Sequence, residues 1–485
     1  MYKKLLGQTA IYGFGTIIIR LFPFIISPFL TRAFGPEALA PFVDFYSVAG
    51  IIVVLLSHGM ETTFFRFAEK ESDTQKLITT STFSVAGASI LFMLICYIFR
   101  YPIADAFKTP DQVNFLTMML FILGIDGLST MPFVILRKTG RPKKFAVIKI
   151  LNGIINFVLL IFFIVILPKL GDKGLLGFAY NKAFGIGYVF VANLIASIAT
   201  FLMLFQELKG VKFSKFSFPL WKKMMAYSWP ITIAGLAGVV NETLDRQFLK
   251  YLLPEGESTE QMSIYGTVCR LVTFMTLFRQ AYLMGIEPFF FAHAKKDNSG
   301  QAYSKLMTFF VVANCLMLLG LCANLGWISH EYIRNPAYYS GIPIVPIVLV
   351  AAVFLGIYLN LSIWYKLTDK TIFGAYISII GAVVTIAINY YFIPEYGYWA
   401  SAWATFSSYF VMMIISYFLG QYYYPIPYNM KKLLLYLVLS ILFSYLSYYT
   451  FNGNLILGNG LFLIFWGLVL FLEKDTIKNF RKSSS

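Results

Sequence analysis

Apolar runs of about 20 residues or more follow one another along almost the whole of this 485-residue chain, divided by short polar loops. Each run is long enough to cross roughly 30 Å of hydrocarbon as a helix. In lipid a backbone has no water to satisfy its N–H and C=O groups, so only helices and closed barrels can span. The two-residue alternation of barrel strands is absent here. Charged residues make up only 13% of the chain and hydrophobic ones 58%, whereas soluble domains carry about a quarter charged residues. These constraints together predict an all-α polytopic membrane protein.

The formal charge of +16 would suit a nucleic-acid partner, but its distribution argues against one. Lys and Arg sit in short loops on alternate sides of the apolar runs. With the N-terminus inside, about 26 basic residues fall in inner loops and tails and about 7 in outer ones, the bias expected of an inserted protein. The densest basic loop, RKTGRPKK at 137–144, anchors that orientation. Met1–Lys4 and the apolar run after them carry Arg20 and no small-residue cleavage site, so the run reads as an uncleaved first helix. Cys96, Cys269, Cys315 and Cys322 all lie in apolar runs without a CxxC spacing and read as small hydrophobes.

About 14 transmembrane helices are predicted, at residues 7–34, 39–67, 77–99, 113–136, 145–167, 175–205, 221–253, 262–292, 303–327, 342–365, 371–393, 398–419, 433–450 and 455–472. One stretch occurs twice. GMETTFFRFAEKE at 59–71 returns as GIEPFFFAHAKKD at 285–297, matching Gly59 with Gly285, Glu61 with Glu287 and Phe64–Phe65 with Phe290–Phe291. Each copy closes an even-numbered helix at a basic loop. Lys4 and Lys222 match at the same offset as Pro36 and Pro254, so the seventh helix corresponds to the first. The expected organisation is an N-lobe of six helices at 1–205, an inner linker and second six-helix lobe at 206–420, and two extra helices with a basic tail at 421–485. An even number of helices per copy relates the lobes by an axis along the membrane normal.

Ionisable residues at mid-bilayer cost about 2.5–3.5 kcal/mol each on insertion scales and therefore mark protein interiors or wet cavities. Arg20 is such a residue, in a first helix without an acid; two roles are open to it, pairing with Asp44 or Asp126, or facing an anion. The seventh helix carries Asn241, Glu242, Asp245 and Arg246, with Glu242 and Arg246 one turn apart on one face. Arg270 sits at the depth of Glu242 and Asp245 and suits them as a partner. Arg279 lies deeper, with no acid at its level on the seventh helix, and is the better substrate candidate. Glu61 and Glu287 lie near inner helix ends, where a cap or loop contact would explain them equally. Lys149 and Lys182 are placed to snorkel to an interface. The dispersed His58, His293 and His330 support no metal site.

The 49 Phe and 32 Tyr supply lipid-facing bulk and interfacial belts, and Tyr also suits the walls of a sugar-binding cavity. Enzyme signatures are missing: no GxSxG elbow, HExxH or P-loop occurs.

The opening KKLLGQTAIYGFGTIIIRLFPFIISPFLTRAFGPE resembles that of bacterial polysaccharide-biosynthesis membrane proteins, the O-antigen-type flippases. GMETTFFRF, NETLDRQFL and GIEPFFFAHAKKD carry the same resemblance, which covers nearly the whole chain. That family belongs to the multidrug/oligosaccharidyl-lipid/polysaccharide (MOP) exporter superfamily. The resemblance implies a V-shaped, MATE-like pair of six-helix lobes around a cationic cavity, with Arg20, Arg246, Arg270 and Arg279 lining it. It implies alternating-access transport of a polyprenyl-diphosphate-linked oligosaccharide across the bacterial inner membrane, with both termini cytoplasmic and no cofactor. The extra helices would offer a groove for the lipid tail, as in the related lipid II flippases. Implied partners are the lipid-linked substrate, the bilayer, and a glycan polymerase and glycosyltransferases of the same pathway; a monomer is expected. Multidrug members often use lobe acids to bind Na⁺ or H⁺, in some of them one on the first helix. The first helix here has none, which leaves Glu242, Asp245 and Glu287 as coupling candidates, or the membrane potential as the driving force. The alternative is an ion-coupled multidrug or metabolite exporter of the same superfamily.

Overall fold

A computed structural model describes residues 21–68, 71, 73–172, 174, 180–293, 299–368 and 370–474, with the backbone alone at 172, 284–285, 287–293 and 299. Arg20 therefore lies outside the described residues, as does the side chain of Glu287. The described chain is all-helical, as expected, and holds no strand. It divides into two compact units, Met1–Ser263 and Ile264–Ser485.

The first unit contains α1 (Leu21–Ala33), α2 (Pro36–Ser57), α3 (Met60–Phe67), α4 (Thr74–Ile98) and the short α5 (Arg100–Ala106). It continues through α6 (Val113–Lys138), α7 (Pro142–Ile161), α8 (Leu167–Asp172), α9 (Gly187–Leu204) and the 35-residue α10 (Phe218–Leu252). Helix α6 is the hub, packed against α2, α4, α7 and α9, while α10 lies along α2 and α3. Phe45, Leu120, Leu123 and Phe190 form one apolar core among α2, α6 and α9. Met60, Phe64, Met131 and Met224 form a second, joining α3 and α6 to α10. The start of α4 is capped by Asp73, whose carboxylate accepts the Lys76 N–H at 3.0 Å. That hydrogen bond holds the Asp73 carboxyl below its ordinary range.

Helix α11 (Glu257–Val268) leads across the unit boundary. The second unit goes on with α12 (Thr273–His293), α13 (Ser299–Ala323), α14 (Leu325–Ile333), α15 (Val345–Leu361) and α16 (Ile363–Leu367). It ends with α17 (Ile372–Tyr396), α18 (Tyr398–Tyr423), α19 (Met430–Tyr445) and α20 (Leu455–Leu472). Helix α15 is buried along most of its length between α13 and α18, and α19 and α20 both pack on α13. These last two helices sit where the final two spans were expected.

Eleven helical segments among the described residues are long and apolar enough to cross a membrane. Helix α10 and the α11–α12 run are not among the eleven. At about 1.5 Å per residue α10 has ample length, so its polar residues, not its reach, set it apart. Packing also groups α10 with the first unit, whereas the repeat assigns it to the second copy; contact and sequence correspondence follow different boundaries here.

The second expected helix is broken. His58 and Gly59 both adopt left-handed backbone, at φ 32° and 65°, so α2 stops and α3 restarts after them. A Cβ on Gly59 would lie 3.0 Å from the Ser228 carbonyl oxygen and 3.2 Å from the Ile231 side chain on α10. Gly59 is thus needed twice, for its φ and for the approach of α10. Its counterpart Gly285 lies within continuous helix; the 3-10 turn between α11 and α12, Cys269–Val272, falls earlier and at a position that does not correspond. Gly59→Ala should lower stability by about 1–3 kcal/mol, read as a fall in the thermal unfolding midpoint of the detergent-purified protein. An unchanged midpoint would remove the need for glycine there.

Candidate functional site

Helix α10 carries its polar residues at helical spacing, and those facing α2 are satisfied by it. Asp44 on α2 and Lys250 on α10, 2% and 6% exposed, form an ion pair. The Gln247 side-chain amide donates to Asp44 Oδ1 at 2.8 Å and to Ser47 Oγ at 2.6 Å. The Lys250 ammonium also lies 5.5 Å from the centre of the Phe107 ring. Asp44, one of two acids considered for Arg20, thus has Lys250 as a partner. One turn earlier, Asp245 is 4% exposed and lies 3.7 Å from the Arg246 guanidinium. That guanidinium donates to the Glu242 backbone carbonyl at 3.1 Å. Arg246 is half-buried and Glu242 exposed.

A second polar constellation lies wholly within the first unit, around a cavity of about 420 Å³. Helix α6 contributes Asp126, Thr130 and Arg137. Helix α7 contributes Lys149, Asn152 and Asn156, and α9 contributes Asn193, Ser197 and Thr200. Tyr46 from α2 and Glu61 from α3 complete the polar wall, and Phe133 and Phe145 form an apolar one. The α7 and α9 sets recur every three or four residues and the α6 set at four and seven, spacings that put each on one helix face. Asn152 donates to Thr200 Oγ1 at 2.8 Å and to the Ala196 carbonyl at 3.2 Å, and Asn156 donates to Asn193. Ser197 hydrogen-bonds the Asp126 carboxylate. The Lys149 ammonium rests 4.3 Å from the centre of the Phe133 ring, so the snorkelling expected of it gives way to a place in this cavity.

The repeated stretch meets the basic loop at the rim of this cavity. Glu61 forms an ion pair with Arg137, whose guanidinium also lies 4.9 Å from the centre of the Phe65 ring. Phe64, its aromatic neighbour, is fully buried in the core. In the first copy, then, glycine, carboxylate and aromatic pair make a helix break and a loop clamp. Arg141 and Lys144 of the same loop both pair with Glu207.

In the second unit, Arg270 sits half-buried in the 3-10 turn before α12, and Arg279 is 7% exposed on α12. Near Arg279 in sequence, Tyr282 accepts a hydrogen bond from Asn360 on α15 at 2.8 Å, and its ring lies 4.4 Å from that of Phe310. The arginines picked out from the sequence are therefore divided between units: Arg246 in the first, Arg270 and Arg279 in the second. The Asp126–Lys149 cavity was not singled out at all. Its signal was present as polar stripes at 149/152/156 and 193/197/200, diluted by the apolar residues between them.

Residues 5–284 match the family model described as polysaccharide biosynthesis protein, more than half of the chain. The chain belongs to that family. No curated protein sequence matches it. Among solved structures, the lipid II flippase MurJ in an inward closed conformation aligns with a TM-score of 0.74 at 14% identity, over 96% of this chain and 99% of the other. An inward-facing MATE-family multidrug resistance transporter of the MOP superfamily aligns at 0.66 and 13% identity, over 84% and 97%. A MOP-superfamily transporter from Pyrococcus furiosus, described as having a binding pocket of reverse polarity, aligns at 0.54 and 12%, over 87% and 95%. At such identities these likenesses establish the fold, an all-helical multi-pass membrane fold shared with the MurJ and MATE structures.

Proposed function

We propose that this protein moves a polyprenyl-diphosphate-linked oligosaccharide, an O-antigen or exopolysaccharide repeat unit, across the bacterial inner membrane by alternating access. The observation that carries the reading is the family match, which spans all four candidate arginines, Arg20, Arg246, Arg270 and Arg279. The substrate head brings negative charge into a low-dielectric interior, and guanidinium groups hold diphosphate oxygens through paired, charge-assisted hydrogen bonds. With the cell interior negative, moving two such charges outward gains about 4.6 kcal/mol per 100 mV. Membrane potential is then a sufficient drive, with Na⁺ or H⁺ coupling through Glu242, Asp245 or Glu287 as the rival. The lobes at 1–205 and 206–420 rock about the site, the helices of 421–485 hold the lipid tail, and both termini are cytoplasmic. The protein works as a monomer, fed by glycosyltransferases and delivering to a glycan polymerase.

The direct test is reconstitution in vesicles with a lipid-linked oligosaccharide, measuring how much becomes accessible to an external glycan-cleaving enzyme. Potential-dependent translocation is expected, and no translocation with or without potential or ion gradients would sink the reading. The buried Asp245 gives the ion-coupled alternative its specific handle. If Asp245 is a coupling site, Asp245→Asn abolishes dependence on the driving ion while the protein still folds. If it serves Arg246 alone, the exchange Asp245→Arg/Arg246→Asp restores transport, and that recovery would rule out the ion site.

A further inference from the structure

We infer that the cavity within the first unit is a binding site for an uncharged sugar ring. Four ionisable groups line it, Glu61 and Asp126 against Arg137 and Lys149, so its formal charge is zero. A site for a metal cation would not place a lysine ammonium and an arginine among its walls, and a diphosphate site would not balance its cations with two carboxylates. Glu61 and Arg137 neutralise each other at the rim. Deeper in, Asp126 and Lys149 both line the cavity and form no direct ion pair among the described residues. A carboxylate and an ammonium held apart in this way accept from, and donate to, a hydroxyl-rich ligand between them.

Two orphaned atoms support the same ligand. Tyr46 and Asn156 line the cavity, and the Tyr46 hydroxyl and the Asn156 carbonyl oxygen, buried just behind its surface, have no hydrogen-bond partner among the described residues. Leaving such groups unmatched in an apolar surround is costly, and hydroxyl groups of a ligand would satisfy both. The Phe133 and Phe145 rings offer the apolar contact that a pyranose face requires. The volume of about 420 Å³ lies within the range of small-molecule sites and suits a mono- or disaccharide. The inference rests on the proposed transport reading for the source of the sugar, the glycan head of the lipid-linked substrate.

The test uses the full chain in lipid nanodiscs and saturation-transfer NMR. The probes are methyl glycosides of neutral hexoses, 6-deoxyhexoses and N-acetylhexosamines, with glucuronic acid and glucosamine as charged controls. At least one neutral glycoside should bind in preference to both controls. Asn156→Leu and Lys149→Met should each weaken it by roughly tenfold, the size of losing one strong hydrogen bond. Tyr46→Phe removes a single oxygen and serves where those variants fail to fold; it should weaken binding severalfold. No signal from any neutral glycoside, equal binding of the charged controls, or binding indifferent to Tyr46→Phe and Asn156→Leu would each overturn the inference. Translocation by the unaltered protein without sugar binding would defeat this inference alone. Sugar binding without translocation of lipid-linked glycan would defeat the transport reading alone.

Discussion

Replacing Arg279 with alanine is expected to abolish glycan export in a flippase-deficient strain while the protein still reaches the membrane fraction. Arg279 is buried on α12, in a helix that passes as a membrane span by length but not by apolarity. Keeping an arginine there costs about 2.5–3.5 kcal/mol on insertion scales, a cost that the proposed role in holding the substrate head would help to offset. Loss of a buried charge-assisted contact to the substrate head should cost about 2–5 kcal/mol, enough to lower transport by a hundredfold or so. Arg279→Lys should recover only part, since it keeps the charge and loses the planar fork. Arg279→Ala combined with Arg20→Ala should be no better than either alone. Complementation measured beside membrane-fraction blotting decides the matter. Full export by Arg279→Ala would end the proposed role.

The second large effect concerns the tie between α2 and α10. Lys250→Met removes one member of a buried ion pair and leaves the Asp44 carboxylate without its cation, at an expected cost of about 3–5 kcal/mol. Asp44→Asn alone should also destabilise, because the Lys250 ammonium then keeps its charge without a counter-ion. The double variant Asp44→Asn/Lys250→Met should regain most of the loss. No charge stays buried, and an amide oxygen at 44 can still accept from Gln247. The measurement is the thermal unfolding midpoint in detergent for the two single variants and the double. A midpoint for Lys250→Met within two or so degrees of the unaltered protein would show the pair to be dispensable. So would a double variant as unstable as the sum of the singles, since coupled partners are not additive.

Neither residue of that pair stood out in the sequence as a partner of the other. Asp44 was visible as a buried acid and was weighed against Arg20. Lys250, near the end of its helix, carries no sequence signal that points to Asp44. Only the packing of α10 along α2 puts positions 206 residues apart within contact. The cavity shows the same limit. Asn152 and Asn156 stand one turn apart, as do Asn193 and Ser197, so the faces were legible; that five helices contribute to one space was not. The repeated stretch was legible as a repeat, whereas the place of Phe64 in the core came from the packing. The left-handed backbone at His58 and Gly59 was not foreseeable, because a glycine inside an apolar run is equally at home in an unbroken helix.

What the sequence determined by itself was the class of the fold and the ends of most helices. Hydrocarbon leaves a backbone no choice but to close its own hydrogen bonds, so apolar length alone predicts a helix. The two final spans, on α19 and α20, were readable for the same reason. What only the tertiary structure decided was which polar side chain answers which. A charge within a membrane helix says that it must have a partner, but the identity of that partner depends on how the helices are rotated and placed. Rotation and placement come from side-chain packing between neighbours, such as Gly59 admitting the backbone of α10. Information of that kind is spread over contacts between distant positions, and no single run of residues contains it.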